Sequence, residues 1–209
     1  MTASLSRRTL IAGGALVATQ IALGGAVTTF AGESQALRPP SAQDETHVHA
    51  TCLKCNRCIS ACPQSCLRLG SLEDGILNWH TPIMDFHRGL CDFCGKCAAA
   101  CPTGTITSTN ESEDRIGVAA INTERCIAWS AGSSCLVCVE TCPYDAIKTD
   151  DSGRPLVDES LCNGCGACEH ACPSNSYRAF SGGKQRGINV EPAQDQTPSL
   201  ALSPLHQEA

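Results

Sequence analysis

Sixteen of the seventeen cysteines in this 209-residue chain fall into four runs, each closed by a proline. The first is Cys52, Cys55, Cys58, Cys62 and Pro63; the second is Cys91, Cys94, Cys97, Cys101 and Pro102. The third is Cys126, Cys135, Cys138, Cys142 and Pro143, and the fourth is Cys162, Cys165, Cys168, Cys172 and Pro173. Three runs keep the spacing C-x2-C-x2-C-x3-C-P, and the third has eight residues rather than two after its first cysteine. A tight loop with a cysteine at every third position aims three thiolates at three corners of one cubane, while the fourth, just beyond the loop, points to a neighbouring cluster. These sixteen residues are the candidate ligands of four [4Fe-4S] clusters. The chemistry is one-electron transfer, because the remaining polar residues, such as Asp85, His87 and Glu169, form no recognisable catalytic set and read as solvated loop residues.

The repeat also judges its own exceptions. Counting from the Cys-Pro pairs, the seventeenth cysteine, Cys66, aligns with Thr105, Ala146 and Ser176, so that position takes a small packed side chain and not a ligand. Cys126 reaches its cluster across the longer loop CIAWSAGSSC, in which Trp129 is expected to shield one face from water. Its place after AAINTER matches that of Cys162 after PLVDES. Gly95, Gly164 and Gly166 sit inside the loops, where unusual dihedrals and close backbone approach are easier without a side chain.

Other uses of cysteine fit less well. Zinc sites pair two C-x2-C elements at longer separation, often with histidine, whereas here the ligands come in fours and only His170 of six histidines lies inside a run. Thiols three residues apart make strained disulfides, and an odd total leaves one over. Haem attachment by C-x-x-C-H and a phosphate-cradling glycine loop are both absent.

The elements that must position these loops are small. Aromatic residues are 4% of the chain and cysteine about 8%, a composition held together by metal or disulfide rather than by a large hydrocarbon core. A formal net charge of −6 with no basic block argues against a nucleic-acid surface. Each proline is expected to end its loop and lead into a short helix. Between the runs, TGTITST with RIGVAAINTE, and AIKTD with LVDES across the turn DSGRP, read as hairpins. The fold class expected is α+β, a small loop-rich domain of two ferredoxin-like two-cluster units. The chain leaves open whether the motifs pair with neighbours (first with second, third with fourth) or nest (first with fourth, second with third).

Ahead of this domain, Arg7 and Arg8 precede 24 uncharged residues that end at Glu33, the pattern of a twin-arginine export signal. That stretch is long enough to span a bilayer, so removal after Ala36, or earlier near Ala31, and retention as an anchor both stand. The twin-arginine route carries folded proteins, which reconciles export with clusters built in the cytoplasm. The organisation expected is a signal or anchor at 1–36, a linker at 37–50, the four-cluster domain at 51–180 and a flexible tail at 181–209.

With its leader, LRPPSA at Leu37–Ala42, four ordered motifs, RIGVAAINTERC at Arg115–Cys126 and the lengthened third motif, the chain resembles the NapG/MauM ferredoxin-type proteins. The resemblance implies an exported protein at the outer face of a bacterial inner membrane, in the periplasm. It would take electrons from a quinol-oxidising membrane iron-sulfur partner (NapH-like) and pass them to a periplasmic reductase, nitrate reductase foremost, often through a c-type cytochrome. It also implies the nested pairing. The rival functions are an iron-sulfur subunit of another exported complex, linked to methylamine dehydrogenase, a hydrogenase or another molybdoenzyme, and a metal-binding module for maturation or assembly.

Overall fold

The computed structural model describes residues 36–107, 109–111, 113–174 and 185–193. Its helices are α1 (Glu45–Thr51), α2 (Arg57–Ala61), α3 (Lys96–Ala100), α4 (Ile127–Ser130), α5 (Val137–Thr141) and α6 (Ala167–Ala171). Its strands are β1 (Leu67–Leu69), β2 (Pro82–Met84), β3 (Val118–Ile121), β4 (Ile147–Thr149), β5 (Pro155–Val157) and β6 (Ile188–Glu191). They form three antiparallel two-stranded sheets, β1 with β2, β3 with β6 and β4 with β5.

Among the described residues, five of the six α-helices are single turns inside the cysteine motifs. Each of α2, α3, α5 and α6 carries a motif's third cysteine and ends with the fourth as its C-cap. Those four caps are extended, with ψ between 112° and 120°, the conformation imposed on a residue before proline. The helix therefore precedes the proline, and among the described residues the expected helix after it does not follow Pro63, Pro102 or Pro143. After Pro63, Pro102 and Pro143 the chain turns through a residue of positive φ, Ser65, Gly104 or Asp145. From the first and third of these turns it enters β1 and β4.

The loops wind in a repeated way. The residues on either side of the second cysteine both have positive φ in three motifs: Lys54 and Asn56, Phe93 and Gly95, Gly164 and Gly166. Two left-handed residues around one cysteine curl the backbone back on itself, which turns successive thiols towards a common centre. The third motif departs from this, since Leu136, its equivalent of Gly95, has φ −123° and its left-handed residue is Gly132.

Helix packing joins neighbouring motifs: α2 packs on α3 and α5 on α6. This corrects the nested pairing that the resemblance implied. One hairpin stands as expected, with Ile147 opposite Val157 and Thr149 opposite Pro155. The other does not, because TGTITST forms no strand and β3 pairs instead with β6, Ala119 opposite Val190.

Two boundaries change with the structure. Within the tail expected at 181–209, residues 185–193 pack as part of the fold, with Ile188, Val190 and Ala193 buried. Within the linker expected at 37–50, Asp44 caps α1 through the amides of Thr46 and His47, and Val48 is wholly buried. Arg38 is also fully buried there, its guanidinium donating to Glu45, Asn78, the Thr81 hydroxyl and the Pro82 carbonyl. A buried cation with every donor engaged fixes the chain that carries it. The leader and residues 194–209 lie outside the described residues. Among the described residues, no helix is long and apolar enough to cross a membrane.

Candidate metal centres

The four motifs surround four separate cavities. Cys52, Cys55 and Cys58 line the first together with Cys101, and Cys91, Cys94 and Cys97 line the second together with Cys62. Cys126, Cys135 and Cys138 line the third with Cys172, and Cys162, Cys165 and Cys168 line the fourth with Cys142. In every case three cysteines come from one motif, and the fourth is the pre-proline cysteine of the motif packed beside it. The four cavities are alike in size and in donor set, so one kind of guest suits all four. A wider groove runs open along β3 and β5 and has no cysteine in its walls.

Among the described residues, no three of His, Cys, Asp or Glu converge closely enough to hold a single metal ion. The thiols stand around a void instead, which suits a polynuclear iron-sulfur cluster and not a tetrahedral zinc with sulfurs about 2.3 Å from the metal. The donor set fits the cluster, with three soft thiolates from a loop and one from a helix end at each cavity.

The walls also bear on the electrostatics. Burial pushes the thiols of Cys58 and Cys165 up to about 11 and those of Cys97 and Cys138 to about 12, and neighbouring cysteines add to the rise. Cys168 moves in the same direction for the same reasons. At Cys101 burial also acts upward, but the amides of Ile106, Thr103 and Thr105 with the Thr103 hydroxyl outweigh it and bring the thiol down to about 7. Other polar groups aim at sulfur too: the Ala119 amide donates to Cys162 Sγ at 3.4 Å and the Lys54 amide to Cys52 Sγ at 3.4 Å, while the Ser174 hydroxyl lies 3.2 Å from Cys172 Sγ. Such contacts stabilise negative charge on sulfur and tune a bound cluster.

Cys126 follows β3 and lies over Gly187, with the third cavity beyond it. Trp129 turns its indole to the Pro155 carbonyl at 3.2 Å, and Arg154 stacks on its ring at 4.2 Å. Cys66 is 2% exposed and lines the second cavity, its Sγ 3.6 Å from Cys62 Sγ. It is small and buried, as its repeat position requires, but it also touches a predicted ligand. The alignment with Thr105 and Ala146 gave no signal of that, since neither is a thiol.

Glu169 is not a solvated loop residue. It is 7% exposed, accepts the Val190 amide at 2.7 Å and faces His87 Nε2 at 3.3 Å. Burial raises its carboxyl, and the Val190 amide and Arg186 act against that rise.

Cysteine loops of this spacing, grouped three plus one around similar voids and carried by small helices and two-stranded sheets, define a ferredoxin-type iron-sulfur protein. The family model for the 4Fe-4S dicluster domain matches residues 51–105, 90–146 and 133–176. The methylamine utilization ferredoxin-type protein MauM of Methylophilus methylotrophus is 34% identical over 172 residues, 76% of this chain and 75% of the relative. The ferredoxin-type protein NapG of Escherichia coli is 34% identical over 76% of this chain and 75% of its own length. MauM of Methylorubrum extorquens is 35% identical over 81% and 85%. The chain belongs to the NapG/MauM family of ferredoxin-type proteins.

Proposed function

We propose that this chain binds four [4Fe-4S] clusters in two ferredoxin-like units and relays single electrons between partners outside the cytoplasm. The observation that carries the reading is the recurrence of four cysteine-lined cavities, each completed by a sulfur from the neighbouring motif. Bound clusters would supply one-electron chemistry; the chain's own part is to supply thiolates, exclude water and aim amides at the sulfurs. The ligands are the sixteen cysteines of the four motifs, and Cys66 is not among them.

Export by the twin-arginine signal, a periplasmic place with the N-terminus retained or removed, electron delivery by a quinol-oxidising membrane iron-sulfur protein of the NapH kind, and passage to a c-type cytochrome or a periplasmic reductase complete the reading. Support for them comes from the Arg7-Arg8 leader and from the family. Nitrate reduction is the first candidate endpoint. Methylamine oxidation is the second, and the MauM relatives favour keeping it.

Purified, cluster-loaded protein is expected to contain about sixteen irons and as many acid-labile sulfides per chain, four cubanes of four. About eight would remove one unit from the reading. After dithionite reduction, a c-type cytochrome from the same cell should reoxidise it within the time of mixing, whereas an assembly module would hand over iron, not electrons.

A further inference from the structure

The two helix pairs meet in an order that the chain order hides. The loop of the second motif lies against the loop of the fourth: the Cys91 amide donates to the Cys165 carbonyl at 2.8 Å. Both residues are candidate ligands, of the second and fourth cavities respectively. Around this contact, Phe86 and Phe93, which precede and line the second motif, are buried in one core with Cys165 and Ala167 of the fourth, and Cys62, Cys91 and Cys97 pack against it. His170 Nδ1 lies 3.2 Å from the Phe86 carbonyl.

The glycines record how tightly this joint is closed. A Cβ on Gly166 would fall 2.0 Å from the Phe86 ring, and one on Gly164 would fall 2.5 Å from the backbone of Gly117. The Ile116 amide, beside Gly117, donates to the Asn163 carbonyl at 2.9 Å. By contrast, no hydrogen bond found among the described residues joins Cys52–Cys62 to Cys135–Cys142. The first cavity is walled by residues 52–59, 80–82 and 101–106, the third by residues 121–138, 155, 172–174 and 187–188.

We infer that the four centres form a line in the order first, second, fourth, third. The second and fourth motifs make the internal junction, and the first and third are the two ends that exchange electrons with partners. This deepens the function proposed above and rests on it. Each internal step moves one electron, oxidising one cluster and reducing the next, with no bond made or broken and no proton transferred.

The experiment is electron paramagnetic resonance on dithionite-reduced full-length protein, with iron counted on the same samples. C55A/C135A is expected to lose the first and third clusters and keep a spin-coupled pair at the second and fourth. C94A/C168A is expected to keep the first and third as two uncoupled signals. Coupling in the second variant and none in the first would overturn the order. Should either variant fail to fold, native protein reduced in steps decides the matter. A line gives three close pairs, so coupling confined to two isolated pairs overturns the junction. Four clusters with those isolated pairs removes only the order, whereas native iron near eight removes the four-cluster reading with it.

Discussion

Cys66 is where one residue of the repeat touches the chemistry of another. A thiol 3.6 Å from Cys62 Sγ can donate an S–H···S hydrogen bond, and hydrogen bonds to a ligand sulfur raise a cluster's potential. On the function proposed above, with Cys62 and not Cys66 as a ligand, C66A should keep its full iron while one midpoint potential moves down in an optical redox titration. C62A should cost about four irons, one cubane. Equal iron loss in both variants would make Cys66 the ligand. Asp74 offers a test in pH. The Arg68 guanidinium, with both ends bonded at 2.7 Å, and then the Ser71 amide and hydroxyl hold its carboxyl well below the usual carboxylate range. A depressed folded-state pKa contributes stability that is complete above the unfolded value near pH 4 and is lost as pH falls towards the folded one. Solvent screens the pair, so D74N should cost about 1 kcal/mol at neutral pH, and that difference from the native protein should shrink below pH 4 in urea unfolding.

At the scale of elements, the loops put backbone freedom and close packing to separate tests. Gly104 and Gly166 have similar positive φ, 70° and 78°, but a Cβ on Gly104 meets nothing within 4 Å. G104A should carry only the left-handed strain of about 1–2 kcal/mol. G166A adds a collision with Phe86 and should lose the fourth motif's cluster, read as about four irons fewer than in G104A. Equal iron in the two variants would mean that Phe86 gives way. Strand β6 is held from the side by Glu169, so E169A would leave the Val190 amide buried without its acceptor, a cost of about 1–3 kcal/mol. Faster bleaching of the cluster absorbance in guanidinium would register it.

These elements also mark what the sequence can and cannot convey. The quartets were legible because a ligand loop is local, and spacing is its geometry. The pairing was not, since whether Cys62 reaches the second motif or the fourth depends on which helices pack, a long-range choice. Strand β6 leaves little trace in the sequence, because INVE is four residues long and its partner β3 lies about seventy positions earlier. Proline is favoured at a helix start, so the sequence predicts a helix after each one. Here it follows the helix, and the fourth cysteine is the cap. Glu169 looked solvated because nothing near it in the chain hints at the amide it receives from residue 190.

For the molecule as a whole, cluster loading is coupled to protons. Buried thiols raised to about 11 or 12 are neutral in the empty protein at pH 7, and as the proposed ligands they would bind iron as thiolates. Loading therefore releases protons and weakens as pH falls. Reconstitution with iron and sulfide at pH 6 should give less bound iron at equilibrium than at pH 8, and a pH-independent yield would contradict the buried-thiol electrostatics. One consequence follows from Arg38. Its guanidinium clasps Asn78, Thr81 and Pro82, and His80 and Pro82 stand in the wall of the first cavity. Residue 38 thus acts as a mooring post, and a leash of only a couple of residues separates it from anything upstream of Ala36. A pull on that leash therefore reaches the walls of two cavities at once, because Pro39 and Pro40, next in the chain, line the second.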